Sequence, residues 1–182
     1  MNQELLNNHY IVVNEFINKD RANKLYLEYK DLYENYPEKF KCDSGWSNGY
    51  GINNPHLFLS LLLEKLPEVS SIVGDELYPT YTLGRIYENK NVLPKHTDRE
   101  ACEISITLHL GSDGTDWEIF FEKPNKDVVG INLKPGQAVI YLGCDAPHWR
   151  KEFNGQEYVQ VFLHYVRAKG KYNWAFFDKK RQ

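Results

Sequence analysis

The chain has 182 residues, 42% hydrophobic and 14% aromatic, with Lys+Arg 22 against Asp+Glu 25 for a net charge of -3. That length buries roughly 70% of the unfolded surface in one core, and the missing basic excess argues against a general nucleic-acid or anionic-membrane binder. Three cysteines, Cys42, Cys102 and Cys144, show no CxxC spacing and argue against a disulfide framework or thiolate zinc site, while the lack of a signal peptide or long apolar run leads us to expect a soluble, cytoplasmic protein with no membrane partner.

Taken in order, "HYIVVNEF" reads as a short strand and "KDRANKLYLEYKDLYENY" as a helix, with Ala22, Leu25, Leu27, Tyr29, Leu32 and Tyr33 at roughly helical spacing. "KCDSGWSNGYGINNP" is dense in Gly, Asn and Ser and reads as a loop. Its aromatics Trp46 and Tyr50 are either a substrate lid or simple anchors. "HLFLSLLLEKL" and "PEVSSIVGDEL" read as two short helices, Pro67 opening the second. From there the pattern changes. "TYTLGRIYE", "CEISITLHLG", "WEIFFEK", "VVGINLK", "QAVIYLG" and "EYVQVFLHYVRA" are β-branched and aromatic, separated by turn signals. The fold class expected is mainly β with N-terminal helices: a helical support over 1–77, a jelly-roll, cupin-like core over 78–168 and a tail over 169–182. The helices should cover the outer face of one sheet.

The chemistry concentrates at "NVLPKHTDREACEISITLHLG". His96 and Asp98 are two apart, and in a strand residues i and i+2 share a face. Alone, such a pair is as well explained by a surface ion pair. His148, after the strand of "KPGQAVIYLGCDAPHW", adds a third donor. A jelly roll places its second and seventh strands side by side, which brings His148 toward His96 and Asp98. Two His and one carboxylate on one face of a metal leave positions open, the arrangement of non-haem Fe(II) oxygenases.

With "GRIYENKNVLPKHTDR", "CEISITLHLG", "LKPGQAVIY" and "HWRKEFNGQEYVQVFLHYV" in this order, residues 78–168 resemble the Fe(II)/2-oxoglutarate-dependent oxygenase superfamily, in its prolyl-4-hydroxylase-like branch. The resemblance implies a double-stranded β-helix and Fe(II) held by His96, Asp98 and His148. It implies 2-oxoglutarate as cosubstrate, dioxygen as oxidant, ascorbate as a stimulant, and hydroxylation of a peptide side chain or a small amino-acid-like metabolite. Asp98 stands where the resembling halogenases lack a carboxylate. Tyr87 sits where the resembling hydroxylases carry a tyrosine that bonds the far carboxylate of 2-oxoglutarate; its alternative is core packing. One feature departs from the pattern: about ten residues after the second His, where a Lys or Arg is usual, stand Glu157 and Tyr158. The anchor is then expected at Arg150, two residues beyond His148, with Arg85 second; Gln160 and His164 are weaker inward donors on the last strand. Arg150 as a surface partner of Glu152 is the alternative. Arg99 has the wrong parity, and His109 and His164 read as hydrogen-bonded structural residues. Two other classes stay open: a cupin-like metalloprotein that does not use 2-oxoglutarate, and an inactive jelly-roll binding module.

Overall fold

The structure, a computed structural model, describes residues 1–180. Eight strands form its centre: β4 (Leu77–Glu88), β5 (Leu93–His96), β6 (Ile104–Ser112), β7 (Ile119–Glu122), β8 (Val128–Ile131), β9 (Ala138–Leu142), β10 (His148–Arg150) and β11 (Glu157–Arg167). Three more precede them: β1 (Tyr10–Val13), β2 (Lys41–Cys42) and β3 (Tyr50–Asn53). They form two antiparallel sheets, a seven-stranded one ordered β1-β9-β6-β11-β4-β3-β2 and a four-stranded one ordered β5-β10-β7-β8. The chain steps between the sheets as it advances, which is the double-stranded β-helix.

Strand alternation sets the two faces of the large sheet. Ile104, Ile106 and Leu108 on β6, Ile140 on β9, and Val159, Val161 and Leu163 on β11 are fully buried on its outer face. They pack under two helices, α2 (Lys19–Asn35) and α3 (His56–Val73). Ala22, Leu25 and Tyr29 of α2 and Phe58, Leu61 and Leu62 of α3 complete this layer. Gly84 lets it close, because a Cβ there would collide with Tyr29 and Phe58. The opposite parity points between the sheets. Cross-strand register places Arg85, Gln160 and His109 in one row and Leu83, Phe162 and Thr107 in the next.

The helices therefore cover one outer face, as expected, but local details differ. A short helix α1 (Gln3–Asn8), capped by the Asn2 side chain, precedes β1. The two short helices are one, α3, with Pro67 inside it. The buried stripe from Phe58 to Val73 runs through the proline, and Pro67 itself faces solvent, so packing holds the helix together where local chemistry favours a break. The Gly- and Asn-rich loop contains the hairpin of β2 and β3, which extends the large sheet through β4. The tail is packed rather than loose: Ala175 is buried in a 3-10 helix (Asn173–Asp178) beside Ala101 and Val166. Residues 181–182 of the expected tail lie outside the described residues. Among the described residues no helix is long and apolar enough to cross a membrane.

Phe58 joins α3 to Tyr29 of α2, with ring centroids 4.9 Å apart, and is fully buried. Phe58→Ala should cost about 3–5 kcal/mol of stability by urea denaturation. A loss under about 1 kcal/mol would show that the helices do not rest on the sheet in this way.

Candidate metal centre and its cavity

His96 ends β5 and His148 opens β10, and the two are direct cross-strand partners. Their rings lie 4.3 Å apart between centroids. Each ring uses Nδ1 on a backbone carbonyl two residues back, His96 on Pro94 at 2.8 Å and His148 on Ala146 at 2.9 Å. A carbonyl only accepts, so Nδ1 carries the proton and Nε2 keeps its lone pair. Both Nε2 atoms face Asp98 Oδ1, at 3.5 Å from His96 and 3.7 Å from His148.

Asp98 lies beyond the end of β5, so strand parity does not orient it. Its N–H donates to the Gly143 carbonyl at 2.8 Å, and its Oδ2 accepts from the Ser105 hydroxyl at 2.9 Å. Oδ1 is thereby left to the imidazoles. Gly143 supplies the space: a Cβ there would collide with the Cys102 carbonyl and come within 2.7 Å of Asp98 Oδ2. Burial opposes the Asp98 charge, but His96, His148 and Ser105 outweigh it and hold the carboxyl below its usual range. Burial likewise opposes a charged His96, which Asp98 and the Pro94 carbonyl nevertheless push upward. Burial drives His148 downward against the pull of Asp98.

The three donor atoms lie within 4.8 Å of one another. Donors about 2.0–2.2 Å from one ion sit about 3 Å apart at right angles, so small side-chain movements close this set on a metal. Two nitrogens and one carboxylate oxygen suit Fe(II). Asp98, Cys102 and His164 also come close enough to be considered. That set is poorer, because burial and Asp98 raise the Cys102 thiol and His164 Nδ1 is engaged with Ser105 at 2.9 Å.

The donors open onto a cavity of about 100 Å³ whose other walls include Trp46, Tyr81, Arg85, Tyr87, Phe162 and His164. Trp46 stands edge-on to the His96 ring at 5.5 Å and is 44% exposed, whereas Tyr50 packs away against Tyr33. The cavity thus receives Arg85, Tyr87 and His164 of the residues expected to bind a cosubstrate. Arg85 is engaged by an acid, Asp43 at 2.8 Å, and donates to Ser47 at 2.9 Å. Arg150 and Gln160 lie deeper, outside that lining. Arg150 is 2% exposed and donates to Gln160 Oε1 at 2.9 Å and to the Trp117 carbonyl. It lies over the Trp117 and Tyr158 rings, so it is no surface partner of Glu152. Burial raises the Tyr87 hydroxyl, and both Arg85 and Arg150 pull against that rise. Arg99 faces away, onto the Tyr81 ring and Asp178. His109 is stacked on Tyr158 and meets the Val159 backbone, while its Nδ1 has no partner. Ser105 and Gly143 were not singled out in the sequence. Ser105 shares inward parity with Thr107 and His109, while no local signal marks Gly143 beyond its place after a strand.

No protein-family model and no curated protein sequence matches the chain. Solved structures do. A Pseudomonas putida prolyl-4-hydroxylase is similar with TM-score 0.72 and 13% identity, covering 90% of this chain and 95% of that one. HygX from Streptomyces hygroscopicus, solved with nickel and 2-oxoglutarate bound, gives TM-score 0.73 and 10% identity over 93% of this chain and 88% of its own. A Trichoplax adhaerens prolyl hydroxylase in complex with a hypoxia inducible factor peptide fragment gives TM-score 0.73 and 12% identity over 89% and 87%. The fold shared with these 2-oxoglutarate oxygenases is the double-stranded β-helix.

Two outcomes follow from the geometry. Gly143→Ala should lower the affinity for Mn(II), measured by calorimetry, by about tenfold or more, because it displaces Asp98; unchanged affinity would remove Asp98 from the site. Separately, burial keeps His109 neutral down to about 3, while an unfolded histidine protonates near 6.5. The unfolded state then binds more protons over that interval, so stability should fall as pH drops below about 6.5. His109→Phe should flatten the slope in denaturation at pH 7 and pH 5; an equal slope in both proteins would contradict a neutral buried His109.

Proposed function

We propose that this protein is an Fe(II)- and 2-oxoglutarate-dependent oxygenase that hydroxylates a peptide side chain or a small amino-acid-like metabolite. The observation that carries the reading is the convergence of His96 Nε2, His148 Nε2 and Asp98 Oδ1 at the mouth of an aromatic cavity. His96, Asp98 and His148 would hold the iron through one face. The bound iron would supply dioxygen activation coupled to oxidative decarboxylation of 2-oxoglutarate to succinate. Tyr81, Trp46 and Phe162 would line the space beside it. The three cysteines are free, which fits a reducing, cytoplasmic location.

Charge burial bears on where the cosubstrate binds. Arg85 already has Asp43 as a partner. Arg150 is buried with only neutral acceptors, the Trp117 carbonyl and Gln160, and no carboxylate pairs with it among the described residues. A buried guanidinium without a counter-ion is costly. A dianion whose distal carboxylate met Arg150, with Tyr87 donating its hydroxyl, would remove that cost. Gln160 would then hold the guanidinium in place, and His164 would support Asp98 through Ser105 instead of binding cosubstrate.

Succinate formation from 2-oxoglutarate, with Fe(II), ascorbate and air, tests the reading. Asp98→Ala should reduce it at least about hundredfold; normal turnover would rule out the triad. Arg150→Ala should raise the apparent 2-oxoglutarate constant by about 30- to 1000-fold, from about 2–4 kcal/mol of paired hydrogen bonds. An unchanged constant in Arg150→Ala and a raised one in Arg85→Ala would move the anchor to β4.

A further inference from the structure

The inner face of the large sheet does not stop at the barrel. It continues through β3 and β2, and register sets Lys41, Gly51 and Arg85 side by side across three strands. Gly51 has no side chain to raise a wall there, and a Cβ would come within 2.8 Å of the Gly84 carbonyl and 3.3 Å of Leu83 Cδ1. The result is a groove of about 490 Å³ whose lining includes Lys39, Lys41, Asn53, Leu83 and Arg85. Leu83 and Arg85 also line the metal cavity, so the two spaces share a wall.

The charge of this groove is opposite to that of the chain. The protein carries a net -3, yet the groove holds Lys39, Lys41 and Arg85 against a single acid, Asp43, which Arg85 already engages at 2.8 Å. Neither lysine has a carboxylate partner among the described residues, and Lys39 instead lies 3.9 Å over the Tyr36 ring. The groove also borders the end of the sheet, where β2 has a strand partner on one side only.

We infer that the groove receives an acidic peptide segment, with its carboxylates against Lys39 and Lys41 and the residue to be modified at the metal cavity. This deepens the oxygenase reading and rests on it. Lys41 lies two strands from Arg85, about 10 Å, a distance that an extended peptide covers in about three residues. The acidic residues should therefore stand at least about three positions from the modified one. A free amino acid would fill the cavity but would leave the lysines unused.

Fluorescence anisotropy with two short labelled peptides tests this. Both carry a central proline; one has aspartates about three positions away and the other has lysines there. The wild-type protein should bind the aspartate peptide about tenfold more tightly, and Lys39→Glu/Lys41→Glu should reverse the order. Equal affinities, binding of neither peptide, or an unchanged order in the double variant would overturn the inference. Displacement by free glutamate at the same concentration as unlabelled aspartate peptide would overturn it too, because a lone amino acid would then suffice. Succinate formation by the wild-type protein is measured in parallel. Its absence beside a clear aspartate preference would sink the oxygenase reading and spare the groove; the converse would sink the groove alone.

Discussion

The pairing of His148 with His96 across β10 and β5 is the constraint on which the site depends. A cross-strand pair fixes two imidazoles, and each ring is then locked by the backbone carbonyl two residues before it. Shifting this register by one residue would turn one imidazole to the opposite face. The rest of the fold protects that pairing. α2 and α3 bury the outer face of the large sheet, which leaves its inner face to build the cavity opposite β5 and β10. Only Asp98 is held by an irregular segment, and it has the most supports: the Gly143 carbonyl, the Ser105 hydroxyl and the space of a missing side chain.

Much of this was legible in the sequence because it rests on period-two alternation. The strands of "CEISITLHLG" and "EYVQVFLHYVRA" declare their two faces, and the helices ahead of them show what covers one of those faces. His96 was legible for the same reason, and His148 from the side-by-side second and seventh strands of a jelly roll. Asp98 was found by a rule that does not apply to it, since it lies past the strand. Its position comes from a hydrogen bond to Gly143, 45 residues away in the chain, and no local pattern encodes that. Pro67 misled because a proline's local preference is outweighed by a stripe of buried side chains on both sides of it. The hairpin within "KCDSGWSNGYGINNP" was hidden because its strands are short and gain stability from β4 rather than from their own residues.

The two arginines show how context divides identical side chains. Arg85 and Gln160 are cross-strand partners facing the same interior. Yet Arg85 turns to Asp43 and Ser47 and thereby ties the loop bearing Trp46 to the barrel. Arg150 reaches the interior from the other sheet and finds only a carbonyl, an amide oxygen and two aromatic faces. One arginine is part of the scaffold of the entrance. The other is a buried charge that no carboxylate pairs with among the described residues.

The central claim is that the triad binds Fe(II) in a form that also takes 2-oxoglutarate. Anaerobic titration of the iron-loaded protein with 2-oxoglutarate, followed by visible absorption, tests it most directly. A weak charge-transfer band that saturates with 2-oxoglutarate and is missing in His148→Ala is the result expected. A wild-type protein that binds Fe(II) at the triad but gives no band would contradict the account and favour a cupin-like metalloprotein of another chemistry.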